Sequence, residues 1–118
     1  MINLYVDDVR ECPPGFVVAR SVDEAIGILE ANEIDILSLD HDMGVDDTES
    51  PLPTGYDLVK KICQSNYKIR KIYIHSDNGP GRENMYETLK GAQSREFLSE
   101  QLEIYRYPYP PPRQVRKE

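Results

Sequence analysis

A chain of 118 residues, 39% hydrophobic and 30% charged, has the composition of one ordinary soluble globular domain, with room for a single packed core and not for two. Its net charge of −7 hides a split: residues 105–118 carry Arg106, Arg113, Arg116, Lys117 and Glu118, a balance of +3, so the first 104 residues hold −10 and repel nucleic-acid backbones, which excludes broad duplex binding. No apolar run reaches the roughly 18 residues of a membrane span, which excludes a membrane partner, and two cysteines, Cys12 and Cys63, cannot build a disulfide framework.

The chain enters a strand at once, so we expect no signal peptide and a cytoplasmic protein with two free thiols. Ile2 to Val6 reads as a buried strand running into Asp7-Asp8. A loop broken by Pro13, Pro14 and Gly15 leads to a second short strand, Phe16 to Ala19. Ser21-Val22-Asp23-Glu24 is a capping box, and Val22, Ala25, Ile26 and Leu29 form one helix face to about Ala31. The third strand, Ile34 to Leu39, stops in Asp40-His41-Asp42-Met43-Gly44. Asp46, Asp47 and Glu49 belong to a solvated loop ending at Thr54, where Thr54-Gly55-Tyr56-Asp57 opens a helix with Leu58, Val59, Ile62 and Cys63 inward to about Ser65.

Ile69 to Ile74 is the fourth strand and runs into His75-Ser76-Asp77-Asn78. Pro80 and Gly81 open another helix with Met85, Tyr86 and Leu89 inward. Gly91 is a candidate break, and Phe97, Leu98 and Leu102 continue the helical pattern beyond it. Glu103 to Tyr107 forms a last strand, which places the domain at residues 1–108 and an extended Pro-rich tail, with Pro110-Pro111-Pro112, at 109–118. There are no internal repeats.

Strands alternating with helices imply a parallel sheet with right-handed crossovers and helices on both faces. The expected fold is a flavodoxin-like α/β domain of about five strands, order 2-1-3-4-5, with the site at the carboxyl edge of strands 1, 3 and 4. Only nine residues separate the first two strands, too few for the usual crossover, so the first helix is missing and an irregular loop replaces it.

That edge gathers the chemistry. Asp7, Asp8 and Asp40 are hard oxygen donors that repel one another unless a cation, Mg²⁺ or Mn²⁺, sits among them. His41 and His75, the chain's two histidines, each follow a strand and suit an acid–base pair for phosphodiester chemistry, or ligation of the metal. The stretch Ser76-Asp77-Asn78-Gly79-Pro80-Gly81-Arg82 is a glycine-containing turn into a helix start, which suits a phosphate oxygen. Ser76, Asn78, Gly81 and Arg82 are therefore candidate phosphate contacts, with Arg10 reaching the same place. The partner this implies is a phosphate-containing small molecule or an RNA end.

The order strand-Asp7-Asp8, strand-Asp40 with Met43-Gly44, Gly55 opening a helix, then strand-Ser76 resembles the receiver domain of response regulators. That resemblance implies Mg²⁺ on the acids, phosphorylation of Asp40 and a switch hydroxyl at Ser76. The chain departs from it: no lysine lies between Lys90 and Lys117, where the fifth strand should supply one. Leu4-Tyr5-Val6-Asp7-Asp8-Val9-Arg10, Ser38-Leu39-Asp40-His41-Asp42-Met43-Gly44, Gly55-Tyr56-Asp57 and His75-Ser76-Asp77-Asn78-Gly79-Pro80-Gly81-Arg82-Glu83-Asn84-Met85 look more like the divergent cyclic-phosphate processing receiver family. This closer resemblance covers most of residues 1–90 and implies a receiver-like fold turned to cyclic phosphate ends such as those on broken RNA. The leading expectation is a metal-dependent phosphoesterase acting on a cyclic phosphate. The rival expectations are a signalling receiver phosphorylated on Asp40 and a non-catalytic cyclic-phosphate sensor, for which Tyr105, Tyr107 and Tyr109 would offer rings to stack on bases.

Overall fold

The computed structural model describes residues 1–43 and 53–109. Gly44, the acidic loop with Asp46, Asp47 and Glu49, and the tail from Pro110 lie outside them. Five strands, β1 (Ile2–Val6), β2 (Phe16–Ala19), β3 (Ile34–Leu39), β4 (Ile69–Ile74) and β5 (Glu103–Tyr105), form one parallel sheet in the order β2-β1-β3-β4-β5. Three helices connect them: α1 (Val22–Ala31), α2 (Gly55–Cys63) and α3 (Gly79–Ser94). None is long and apolar enough to cross a membrane.

Strand order and handedness dictate where the helices lie. The crossovers β2-α1-β3, β3-α2-β4 and β4-α3-β5 all travel the same way across the sheet, so a right-handed turn puts each helix on the same face. Accordingly α1 packs on α2 and α2 on α3. Their inward residues Val22, Ala25, Leu29, Leu58, Val59, Ile62, Met85 and Leu89 close one core against Leu4, Val6, Leu37, Leu39, Ile72 and Ile74. Each of the larger of these side chains, Ala25 apart, contributes about 1.5–3 kcal/mol by leaving water. Only the β1-to-β2 step runs in the opposite direction, and a helix there would cover the other face. That step is the nine-residue loop expected, closed by a turn in which Phe16 donates its amide to the Pro13 carbonyl at 3.3 Å and Gly15 takes φ +85°. Among the described residues the helices thus cover one face, and not both as the sequence suggested.

The helix-free face carries the row Val18, Tyr5, Ser38, Tyr73 and Tyr105, set side by side by the strand register. Tyr5, Ser38 and Tyr73 are buried all the same. The chain leaving β5 folds back over them: the Tyr109 ring lies 5.1 Å from Tyr73 and 5.6 Å from Phe16, and Tyr107 lies 5.3 Å from Tyr105. Arg106 anchors that turn to α3, stacking over the Tyr86 ring at 4.1 Å and meeting Glu83 at 3.0 Å.

Local signals hold with revisions. Ser21 caps α1 as expected, accepting from the Glu24 amide, but the Glu24 carboxylate reaches the Arg20 amide and not that of Ser21. The reciprocal capping box stands instead at α2, between Thr54 and Asp57. Gly91 does not break α3, which runs to Ser94. Phe97, Leu98 and Leu102 are not helical: Glu96 turns to φ 68° and the Phe97 amide bonds back to the Ala92 carbonyl, ending the helix. The fifth strand stops at Tyr105 and not at Tyr107.

Candidate metal and phosphate site

Alternation along the strands decides which groups meet. Residues two beyond Tyr5, Ser38 and Tyr73 are Asp7, Asp40 and His75, so all three leave the carboxyl edge on the helix-free side. Backbone pairing continues one step past the strands, from the Asp40 amide to the Val6 carbonyl and from the His75 amide to the Leu39 carbonyl, which fixes their height. One ligand-capable atom from each of the three lies within 4.8 Å of the others.

Asp7 is fully buried. Its Oδ1 accepts the Val9 and Arg10 amides, each at 2.9 Å, and its Oδ2 lies 2.9 Å from His75 Nε2 and 3.9 Å from Arg10 Nε. Burial alone would raise its pKa, but the Arg10 and Val9 amides and His75 outweigh that and hold it below the ordinary carboxylate value. Asp40 is half-buried and goes the other way. Burial, then the charge of Asp7, raise its pKa, against the His41 amide at 2.8 Å and the Ser76 side chain. A crowded carboxylate pair of this kind favours a cation between its members.

His75 is held at both ring nitrogens and on one ring face. Nε2 faces Asp7, Nδ1 lies 2.7 Å from the Ser38 hydroxyl, and the ring stacks on Tyr5 at 4.5 Å with only 3° between planes. Ser38 is small enough to let Tyr5 and His75 meet above it. Burial lowers the His75 pKa despite the opposing pull of Asp7. With both ring nitrogens engaged and 4% of its surface exposed, this imidazole is poorly placed to exchange protons with solvent, one of the two roles expected of it from sequence beside ligation of a metal.

His41 differs. Its Nδ1 pairs with Asp42 at 2.8 Å, Asn78 Nδ2 approaches both, and its Nε2 makes no hydrogen bond among the described residues. The ring lies against the first turn of α3. A Cβ on Gly81 would stand 2.6 Å from ring carbons of His41, so only glycine admits the ring there. Gly55 is needed for the same reason: a Cβ on it would meet the Asp40 carbonyl oxygen at 1.9 Å.

The expected phosphate contacts sort unevenly. Arg10 binds the His75 carbonyl at 3.3 Å and Asp77 at 2.5 Å, and Arg82 binds the Ser76 carbonyl at 3.3 Å, so two guanidinium groups do flank the edge. The turn amides are largely spent on the turn itself. Ser76 Oγ takes the Asn78 amide, Asn78 Oδ1 takes that of Gly81, and the Asn78 carbonyl takes that of Arg82. Gly81 therefore offers space and not a donor. Asp8, expected among the ligands, is half-buried beside the group but outside it.

The donor set fits a divalent cation: two carboxylates and an imidazole converge where negative charge is in excess. Sequence reading missed Arg20 and gave no individual role to Ser38 or Asp42, which it named only within the motif around Asp40. Arg20 donates to the Asp7 and Arg10 carbonyls at 3.1 and 2.6 Å and clamps the loop that carries them. The signals for Ser38 were a serine inside an otherwise apolar run and its place at the head of the motif around Asp40.

A family model described as the cyclic-phosphate processing receiver domain matches residues 2–91. No curated protein matches, and no solved structure matches.

Proposed function

This chain belongs to the cyclic-phosphate processing receiver family, and from that premise we propose that it is a metal-dependent phosphoesterase that opens a cyclic phosphate on a nucleotide or an RNA end. The observation that carries the proposal is the convergence of Asp7, Asp40 and His75 at one edge of the sheet, with His41 following Asp40 in the chain and its ring set against the first turn of α3. A divalent cation held there, Mn²⁺ or Mg²⁺, would polarise a phosphoryl oxygen and ease ionisation of the attacking water. Asp7 and Asp40 supply the charge that holds it. Asp8 stands next along the chain to complete its shell through water.

His41 carries the proton. Asp42 fixes its Nδ1, leaving Nε2 for the oxygen that departs when the ring P–O bond breaks. The new P–O bond comes from water, so the products are a phosphomonoester and a free hydroxyl. Arg10 and Arg82 draw in and orient the anion, and Asn78 Nδ2 lies beside His41 to receive a phosphate oxygen. His75 acts as ligand and brace, a role its two engaged nitrogens support better than proton transfer.

Incubation with Mn²⁺ and a 2′,3′-cyclic nucleotide should give the monophosphate, with turnover falling about 100-fold or more in His41→Ala. No turnover with any divalent metal overturns the proposal, and tight binding without turnover, weakened by Arg82→Ala, favours a sensor instead. A second reading, phosphorylation of Asp40, draws on its half-exposed carboxylate next to Ser76. It predicts a phosphoprotein after treatment with a small phosphodonor, absent in Asp40→Asn. The missing lysine speaks against it, because that cation would neutralise the phosphoryl group.

A further inference from the structure

The cation seat has an unusual brace. Its imidazole is not a side chain that can swing in or out: Ser38 holds Nδ1 at 2.7 Å, and Tyr5 stacks flat on the ring at 4.5 Å. Ser38 itself is fully buried in the middle of β3, between Tyr5 and Tyr73 in the strand register. A hydroxyl there forgoes the apolar packing its neighbours enjoy, and its one partner among the described residues is His75.

The ring has two available tautomers. With the proton on Nε2 it donates to Asp7, and with the proton on Nδ1 it donates to Ser38 Oγ and turns the Nε2 lone pair towards Asp7 and Asp40. The second arrangement is how a metal-bound histidine is normally held, with an outer hydrogen bond fixing the ring and raising its basicity. Nε2 and Asp7 Oδ2 are 2.9 Å apart, the separation of adjacent ligands with bonds of about 2.1 Å at right angles.

We infer that His75, braced by Ser38, is a nitrogen ligand of this seat and makes it select a transition-metal ion over Mg²⁺. The inference rests on the proposed function in one respect only, that a cation sits between Asp7 and Asp40. Mg²⁺ is satisfied by oxygen and water and gains little from an imidazole, whereas borderline ions such as Co²⁺ or Zn²⁺ gain affinity from it. Asp8, outside the group, is not a direct ligand in this arrangement.

Calorimetric titration of the full chain with Co²⁺ and with Mg²⁺ tests the selection, and pulsed EPR of the Mn²⁺-loaded protein tests the ligand. Expected are tighter Co²⁺ than Mg²⁺ binding and nitrogen modulation from a coordinated imidazole. Ser38→Ala, which keeps the core apolar, should weaken Co²⁺ about tenfold or more and leave Mg²⁺ unchanged. His75→Gln should remove both the nitrogen signal and the discrimination. Bound Mn²⁺ without a nitrogen signal, or equal losses for both ions in Ser38→Ala, overturns the inference while leaving a cation seat in place. Failure of all three ions to bind overturns the seat as well.

Discussion

Asp40 and His75 are pushed out of their charged forms by burial, with opposite consequences for stability. For Asp40, burial and the neighbouring Asp7 charge raise the folded-state pKa, so its contribution is favourable below the ordinary value of about 3.9 and is lost as pH rises through the raised one. At neutral pH its ionised form costs stability. Asp40→Asn should therefore stabilise chelator-treated protein at pH 7 by about 1 kcal/mol, read as a raised Tm, a common gain when a functional site's charge is relieved. For His75, burial favours the neutral ring, so its contribution is present above the ordinary value of about 6.5 and is lost as pH falls through the lowered one. Because Asp40 acts in the opposite sense, the test is a difference: in metal-free protein, Tm of wild type relative to His75→Gln should fall between pH 7 and pH 5. A difference that stays constant or grows over that interval contradicts the assignment. The acids and imidazoles were legible in sequence because each ends an apolar run. Ser38 was not, because a serine within a strand shows its importance only when the register brings an imidazole to it.

Among the elements, boundaries show where local chemistry is strong and where it is overruled. The α2 start was legible from Thr54 to Asp57, a reciprocal cap that needs nothing outside its own turn. The α3 end was not, because its left-handed residue is Glu96, where glycine would advertise the stop. A β-carbon at φ 68° costs of order 1 kcal/mol, so Glu96→Gly should stabilise the protein by up to about 1 kcal/mol, read as a shift in urea midpoint at constant m-value. No gain would mean that the Glu96 side chain earns back its backbone strain elsewhere. Gly81 illustrates the converse: its sequence setting pointed to a free amide, yet its amide is capped by Asn78 and the missing side chain makes room for His41.

Across the whole molecule, the strand order and the short first connection were legible, and together with handedness they carry the one-sided arrangement of helices. What the residues did not advertise is the cover on the other side. Tyr107 read as the end of the last strand and Tyr109 as the start of an extended tail, yet Tyr109 joins Phe16 to Tyr73 across the sheet. Tyr109→Ala should cost about 1 kcal/mol, the scale of lost aromatic pairing, measured by thermal denaturation. An unchanged Tm would show that these rings add nothing to the fold.

The aromatic bridge over the sheet also sets an order of events in synthesis. Among the described residues, Tyr109 leaves the ribosome last, whereas the five strands and three helices precede it. Until it arrives, Phe16 and Tyr73 lack the ring that joins them, and a nascent chain displays a bare aromatic strip. Chaperones that recognise such strips would then have a brief opening at the same sheet surface on which the imidazole of residue 75 is stacked.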